Sequence, residues 1–198
     1  MTASVRFFEN QFQRQVAGGE YALNPFERLA LPHLKGEVLD LGCGLGNLAL
    51  EAARAGCRVT ALDGSATAVA RLREAALGEV LVLEAHEADL THYAIDRDYD
   101  TIAVIGLLMF FPRERAEAVL ADIVAHVRPG GVAVLNVLTK GTNFLGMFEP
   151  GHYHLFPQGA LEAALAGWDI LVMSRDTFPA PGDTVKVFDT VIARRPAA

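Results

Sequence analysis

The chain has 198 residues, 52% of them hydrophobic, a formal net charge of −7 and no run of Lys or Arg. That length suits one domain with a substantial core, and the acidic balance excludes the basic face that binding nucleic acid requires. The longest apolar run, 102–111, is half of the roughly 20 residues a membrane span needs, and an N-terminus carrying Arg6, Glu9, Asn10, Gln11 and Gln13 is no signal peptide.

Val5, Phe8, Phe12 and Val16 recur at helical spacing, and Gly18-Gly19 stops the pattern. Asn24-Pro25 starts a short helix that runs to Pro32. Strands are expected at 37–41, 58–62, 80–84 and 101–105. The first is followed by a helix with Leu48, Ala49, Ala52 and Ala53 on its apolar face and Gly56 as its stop. Ser65 caps a helix whose face is Val69, Leu72 and Ala76. Pro112-Arg113 opens another, with Ala116, Val119, Leu120, Ile123 and Val127 along one side. Arg128-Pro129-Gly130-Gly131 reads as a turn into a fifth strand ending at Leu138. Region 139–157 is broken, and 158–166 reads as helical. The last strands, 168–174 and 185–193, flank Pro179-Ala180-Pro181-Gly182-Asp183, which favours an antiparallel hairpin.

The densest signal is Val38-Leu39-Asp40-Leu41-Gly42-Cys43-Gly44-Leu45-Gly46-Asn47. A buried strand runs into a loop with glycine at every second position, then straight into a helix. Such a loop lets backbone approach a ligand closely, and the helix's first turn offers free N–H donors. Asp63 closes the next strand, beside that loop in a right-handed crossover, where a carboxylate can accept from both hydroxyls of a ribose. Gly44-x-Gly46-x-x-Ala49 fits the loose dinucleotide pattern, so an NAD-dependent oxidoreductase is one reading. Asp40 argues against it. A carboxylate before the first glycine is unfavourable beside a pyrophosphate and suits a ligand with an ammonium group.

Val38 to Gly46, Asp63, Ala88-Asp89-Leu90, Tyr99-Asp100-x-Ile102 and Val127 to Gly131 together resemble the ordered motifs of class I S-adenosylmethionine-dependent methyltransferases. The resemblance implies an α/β, Rossmann-like doubly wound sheet of seven strands, only the last antiparallel. It implies S-adenosyl-L-methionine as cofactor, held by Asp40, Gly42, Cys43, Gly44, Asn47, Asp63, Gly64, Asp89, Leu90 and Ile105. Asp89 would take the adenine amino group, and Leu90 would lie against the ring. The whole chain, 1–198, is expected to form one methyltransferase domain, with 1–36 a helical candidate lid and 139–157 on the substrate side. Leu108-Met109-Phe110-Phe111 and Ala166-Gly167-Trp168-Asp169 are similar to the tellurite-resistance methyltransferase family. A His-Arg pair expected of that family in the last hairpin is missing, because 174–186 holds Arg175 and Lys186 but no histidine.

The expected activity is therefore methyl transfer to a small molecule, such as a thiol or a chalcogen oxyanion like tellurite or selenite. The alternatives are O- or N-methylation, and a catalytically silent S-adenosylmethionine-binding protein. Leu108, Met109, Phe110, Phe144 and Phe148 would form an apolar acceptor pocket. A dedicated catalytic residue is optional, since displacement from a sulfonium has a leaving group already activated; His152 and His154 are the candidates for a base. Their His-x-His spacing lacks a supporting acid or cysteine cluster, so no metal is expected. Cys43 and Cys57 imply no disulfide framework. A cytoplasmic protein with a small-molecule substrate, and neither nucleic-acid nor membrane partners, is expected.

Overall fold

A computed structural model of the protein describes residues 3–197, with side chains from Val5 onward. The chain runs α1 (Ala3–Gly18), α2 (Pro25–Ala30), β1 (Glu37–Leu41), α3 (Asn47–Arg54), β2 (Arg58–Asp63), α4 (Ala66–Gly78), β3 (Leu83–Glu87) and β4 (Tyr99–Ile105). It continues through α5 (Arg113–His126), β5 (Val127–Leu138), α6 (Ala160–Ala164), β6 (Asp169–Ala180) and β7 (Thr184–Arg194). The strands form one seven-stranded sheet in the order β3-β2-β1-β4-β5-β7-β6. The pairs among β1 to β5 are parallel, and β7 runs antiparallel to both β5 and β6. This is the expected doubly wound α/β sheet with one reversed strand. Strand order reverses direction between β1 and β4, and a crevice opens beyond strand ends at such a switch point.

Alternation along the strands sorts side chains between the two faces. Leu39 and Leu41, Ile102 and Val104, and Leu135 and Val137 pack with Ala116, Val119 and Ile123 of α5 and Leu161 of α6. Val38 turns the other way and packs with Ala49, Leu50, Ala52 and Ala53 of α3. Ala103, Val134 and Ile192 share that second face with Ala30 of α2. Asp40 has the parity of Val38, and Asn136 that of Val134. Both therefore emerge on the α2 and α3 side, at the C-terminal ends of their strands.

Several sequence expectations shift, among them the strand expected at 168–174, which runs Asp169–Ala180 and absorbs the start of the expected turn. The third strand is 83–87 rather than 80–84. The apolar run Val80-Leu81-Val82, with two β-branched residues, mimics a strand, yet Val80 takes a positive φ of 56° in the turn after α4, and it and Val82 are exposed. Arg128-Pro129-Gly130-Gly131 is a bulge inside β5, not a separate turn, because pairing with β4 jumps from Tyr99–Val127 to Thr101–Val132. The helix expected over 158–166 spans only Ala160–Ala164. Among the described residues, no helix is long and apolar enough to cross a membrane.

Candidate functional site

The loop after β1 is held by backbone before any ligand is considered. Gly42 and Cys43 both donate to the Leu62 carbonyl, at 2.8 and 3.0 Å, and Gly46 donates back to Cys43 at 2.9 Å. Gly42, Gly44 and Gly46 take φ of 78°, 54° and 71°, a region that carries little penalty only for glycine. Asp63 ties the loop to the end of β2. Its Oδ2 accepts from the Gly44 N–H at 2.8 Å, and its Oδ1 accepts from the Ser65 N–H at 2.8 Å. With the Gly64 N–H also directed at the carboxylate, part of its acceptor capacity is left for a ligand hydroxyl.

These elements wall a cavity of about 1020 Å³. All ten residues expected to hold a cofactor line it: Asp40, Gly42, Cys43, Gly44, Asn47, Asp63, Gly64, Asp89, Leu90 and Ile105. His152 and His154 do not. His152 is exposed, with Nδ1 3.3 Å from the Pro150 carbonyl. His154 donates its backbone N–H to Met109 at 3.0 Å and sets its ring edge-on to Phe156, and burial lowers its pKa. Of the expected apolar pocket, Met109, Phe110 and Phe144 line the cavity. Leu108 instead sits in the α5-side core, and Phe148 packs between Phe110 and Tyr153.

Charge in the cavity is one-sided. Glu20, Glu27, Asp40, Asp63, Glu87 and Asp89 line it, against Lys186 as the one basic side chain among the described lining residues. Asp40 is the extreme case. It is 5% exposed, and no described residue donates a hydrogen bond to its carboxyl. Burial first, then the neighbouring carboxylates of Glu27 and Asp63, push its pKa up to about 8. Asp89 behaves oppositely. It is exposed, and hydrogen bonds from Thr91 and then His92 hold it down at about 2.

Removing the Asp40 charge is therefore expected to stabilise the ligand-free protein at alkaline pH. Its carboxyl titrates near 8 when folded and near 3.9 when unfolded, so the folded state binds the extra proton between those limits. Wild-type stability should fall across that window relative to Asp40→Asn, which does not titrate. The melting-temperature gap, variant minus wild type, should widen from pH 5 to pH 9. A pH-independent gap would contradict the assignment.

The helix α1 covers one side of the cavity with Phe7, Phe8 and Phe12. Phe8 packs edge-on to Phe110, with centroids 5.1 Å apart. Glu9 accepts from the Ser65 Oγ at 2.5 Å and from the Thr67 hydroxyl, fixing α1 to the start of α4. Sequence reasoning missed Glu27, Phe26 and Phe188 as lining residues. The local signal at Glu27 marks only the helix start: Asn24-Pro25-Phe26-Glu27 spells a capping box, in which Glu27 Oε2 accepts from Asn24 N–H at 2.7 Å and Asn24 Oδ1 accepts from Glu27 N–H at 2.9 Å.

A family model described as a methyltransferase domain matches residues 38–131. Hemagglutinin 1 of Eikenella corrodens is 32% identical over 81% of the chain and 55% of its own length. Carboxy-S-adenosyl-L-methionine synthase of Photobacterium profundum is 32% identical over 65% of the chain and 56% of its length. TehB of Haemophilus influenzae is 27% identical over 80% of the chain and 57% of its length. The crystal structure of TehB superimposes with a TM-score of 0.74 at 23% identity, over 88% of this chain and 63% of that one. The chain thus spans a little over half the length of these curated relatives.

Proposed function

We propose that this chain, which belongs to the class I S-adenosylmethionine-dependent methyltransferase superfamily, binds S-adenosyl-L-methionine in the switch-point cavity and methylates a small molecule. The observation that carries the reading is Asp40, a buried carboxyl lining the cavity with no hydrogen-bond donor among the described residues. Burying such a group is costly unless a partner arrives. A ligand with an ammonium and a sulfonium offsets that cost, whereas a pyrophosphate would add to it.

Bound there, S-adenosylmethionine supplies a methyl group already activated on sulfur. In this reading Asp63 and the glycine loop hold the ribose, Asp89 and Leu90 the adenine, and Ile105 lies near the methyl end. The task left to the chain is alignment and exclusion of water, which can supply roughly 7–11 kcal/mol. Phe7, Phe8 and Phe12 of α1 give it a lid of suitable chemistry.

The acceptor we favour is small, uncharged or singly anionic, and nucleophilic through a soft atom, a thiol foremost. Phe26, Phe144, Met147 and Phe188 offer it an apolar wall, with Lys186 at hand for one negative charge. Tellurite and selenite, suggested by the likeness to TehB, fit less well. Even with Asp40 protonated, acidic side chains outnumber the one ammonium in the lining and repel an oxyanion at long range. Methylation at oxygen or nitrogen is the second reading. Turnover against thiols, tellurite, selenite, phenols and amines ranks these acceptors, and thiol turnover well above the others is expected. Strong turnover of tellurite alone would reverse the ranking.

His152→Ala and His154→Ala should each change turnover by less than about threefold, since neither ring lines the cavity. A general base would cost about 10²–10⁴-fold on removal. A hundredfold loss with intact cofactor affinity would move the acceptor towards hydroxyls or amines.

A further inference from the structure

We propose that Glu27 is a second cofactor-binding carboxylate, which holds the ammonium group of S-adenosylmethionine together with Asp40. The inference rests on the reading above and extends it outside the matched methyltransferase domain, which begins at residue 38.

Glu27 and Asp40 come from different elements and meet at one cavity wall. The short helix α2 packs through Ala30, fully buried, on the sheet face that carries Ala103 and Val134. Alternation puts Asp40 on that same face. Both carboxyls line the cavity, and among the described residues no salt bridge joins either to a basic side chain. Arg28, next to Glu27, spends its guanidinium on the Leu23 carbonyl. Lys186, the basic residue of the cavity, lies over the Phe144 ring at 5.8 Å.

A capping box alone does not require this placement. It uses one oxygen of Glu27, Oε2, and would work as well on an open surface. Oε1 has no donor among the described residues. Burial raises the pKa of both carboxyls, and the charge of Glu27 adds to the rise at Asp40, so the two repel across one low-dielectric space. A cation with several N–H donors placed between them turns that repulsion into paired, charge-assisted hydrogen bonds. An ammonium has three donors, enough for one to each carboxyl. Glu27 would thereby make cofactor affinity depend on α2, whose Phe26 packs on Phe178 and Phe188 beside the proposed acceptor wall.

Glu27→Gln separates the two roles. Glutamine keeps an oxygen for the Asn24 N–H and so keeps the cap, but removes the charge. Calorimetry with S-adenosylmethionine and with 5′-methylthioadenosine, which lacks the amino-acid end, is the test. S-adenosylmethionine should bind the variant about tenfold more weakly or worse, with methylthioadenosine within about twofold of wild type. Unchanged S-adenosylmethionine affinity would overturn the proposal. So would equal weakening of both ligands, which would mean a purely structural role, or a loss confined to turnover, which would put Glu27 on the acceptor. These outcomes leave the parent reading standing. Wild-type protein that binds neither ligand would overturn both.

Discussion

Asp63→Ala is expected to weaken S-adenosylmethionine about a hundredfold while the protein stays folded. The carboxylate has two tasks. It accepts from the backbone of Gly44 and Ser65, which fixes the glycine loop against the start of α4. Its remaining lone pairs face the cavity, where the proposed ligand presents ribose hydroxyls. A hydrogen bond to a charged group contributes about 1.5–3 kcal/mol, so losing the ribose contacts alone costs roughly tenfold to a hundredfold. Loosening the loop adds to that. Asp63→Asn keeps the shape and one acceptor oxygen, and should fall between the two. Calorimetry showing wild-type affinity in a folded Asp63→Ala variant would remove Asp63 from the binding site.

Gly46→Ala is expected to cost stability and binding together. Gly46 sits at φ 71°, just before α3. An L-residue there loses about 1–2 kcal/mol relative to glycine. The added Cβ would also lie under 3 Å from three carbon atoms of Leu72, a fully buried side chain of α4. Overpacking of that kind costs about 1–3 kcal/mol. Since α4 cannot retreat without disturbing Val69 and Ala76 in the same cluster, part of the strain should pass back into the loop. Chemical denaturation should show a loss of about 2–5 kcal/mol in the ligand-free protein. Gly56→Ala is the control. Its φ is 94° but nothing lies near the added Cβ, so it carries the backbone penalty alone and should leave binding intact. Equal stability losses in the two variants would mean that Leu72 yields.

Local chemistry explains what could be read from the chain. The strand, glycine loop and helix of residues 38–54 announce themselves, because a buried parallel strand is mostly apolar, Asp40 being the exception here, and the loop must be glycine-rich. Asp63, Asp89 and Ile105 follow from strand ends, and these meet because parallel strands bring their C-terminal edges to one side of the sheet. Glu27, Phe26 and Phe188 were not legible as a group. They lie far apart in sequence, and only the packing of α2 on the sheet brings them to the cavity. The pattern at 80–84 misled for a physical reason: β-branched residues favour strands, but β3 is an edge strand whose one buried position is Ala85. His152 and His154 looked chemical by residue type alone, and position relative to the cavity is a tertiary property that spacing does not encode.

An acidic switch-point cavity should select a cationic nucleoside over a dinucleotide. Calorimetric titration of the wild-type protein with S-adenosylmethionine and, separately, with NAD distinguishes the two. Saturable one-to-one binding of S-adenosylmethionine, with no heat from NAD at the same concentrations, is the predicted result. Binding of NAD without binding of S-adenosylmethionine would contradict it.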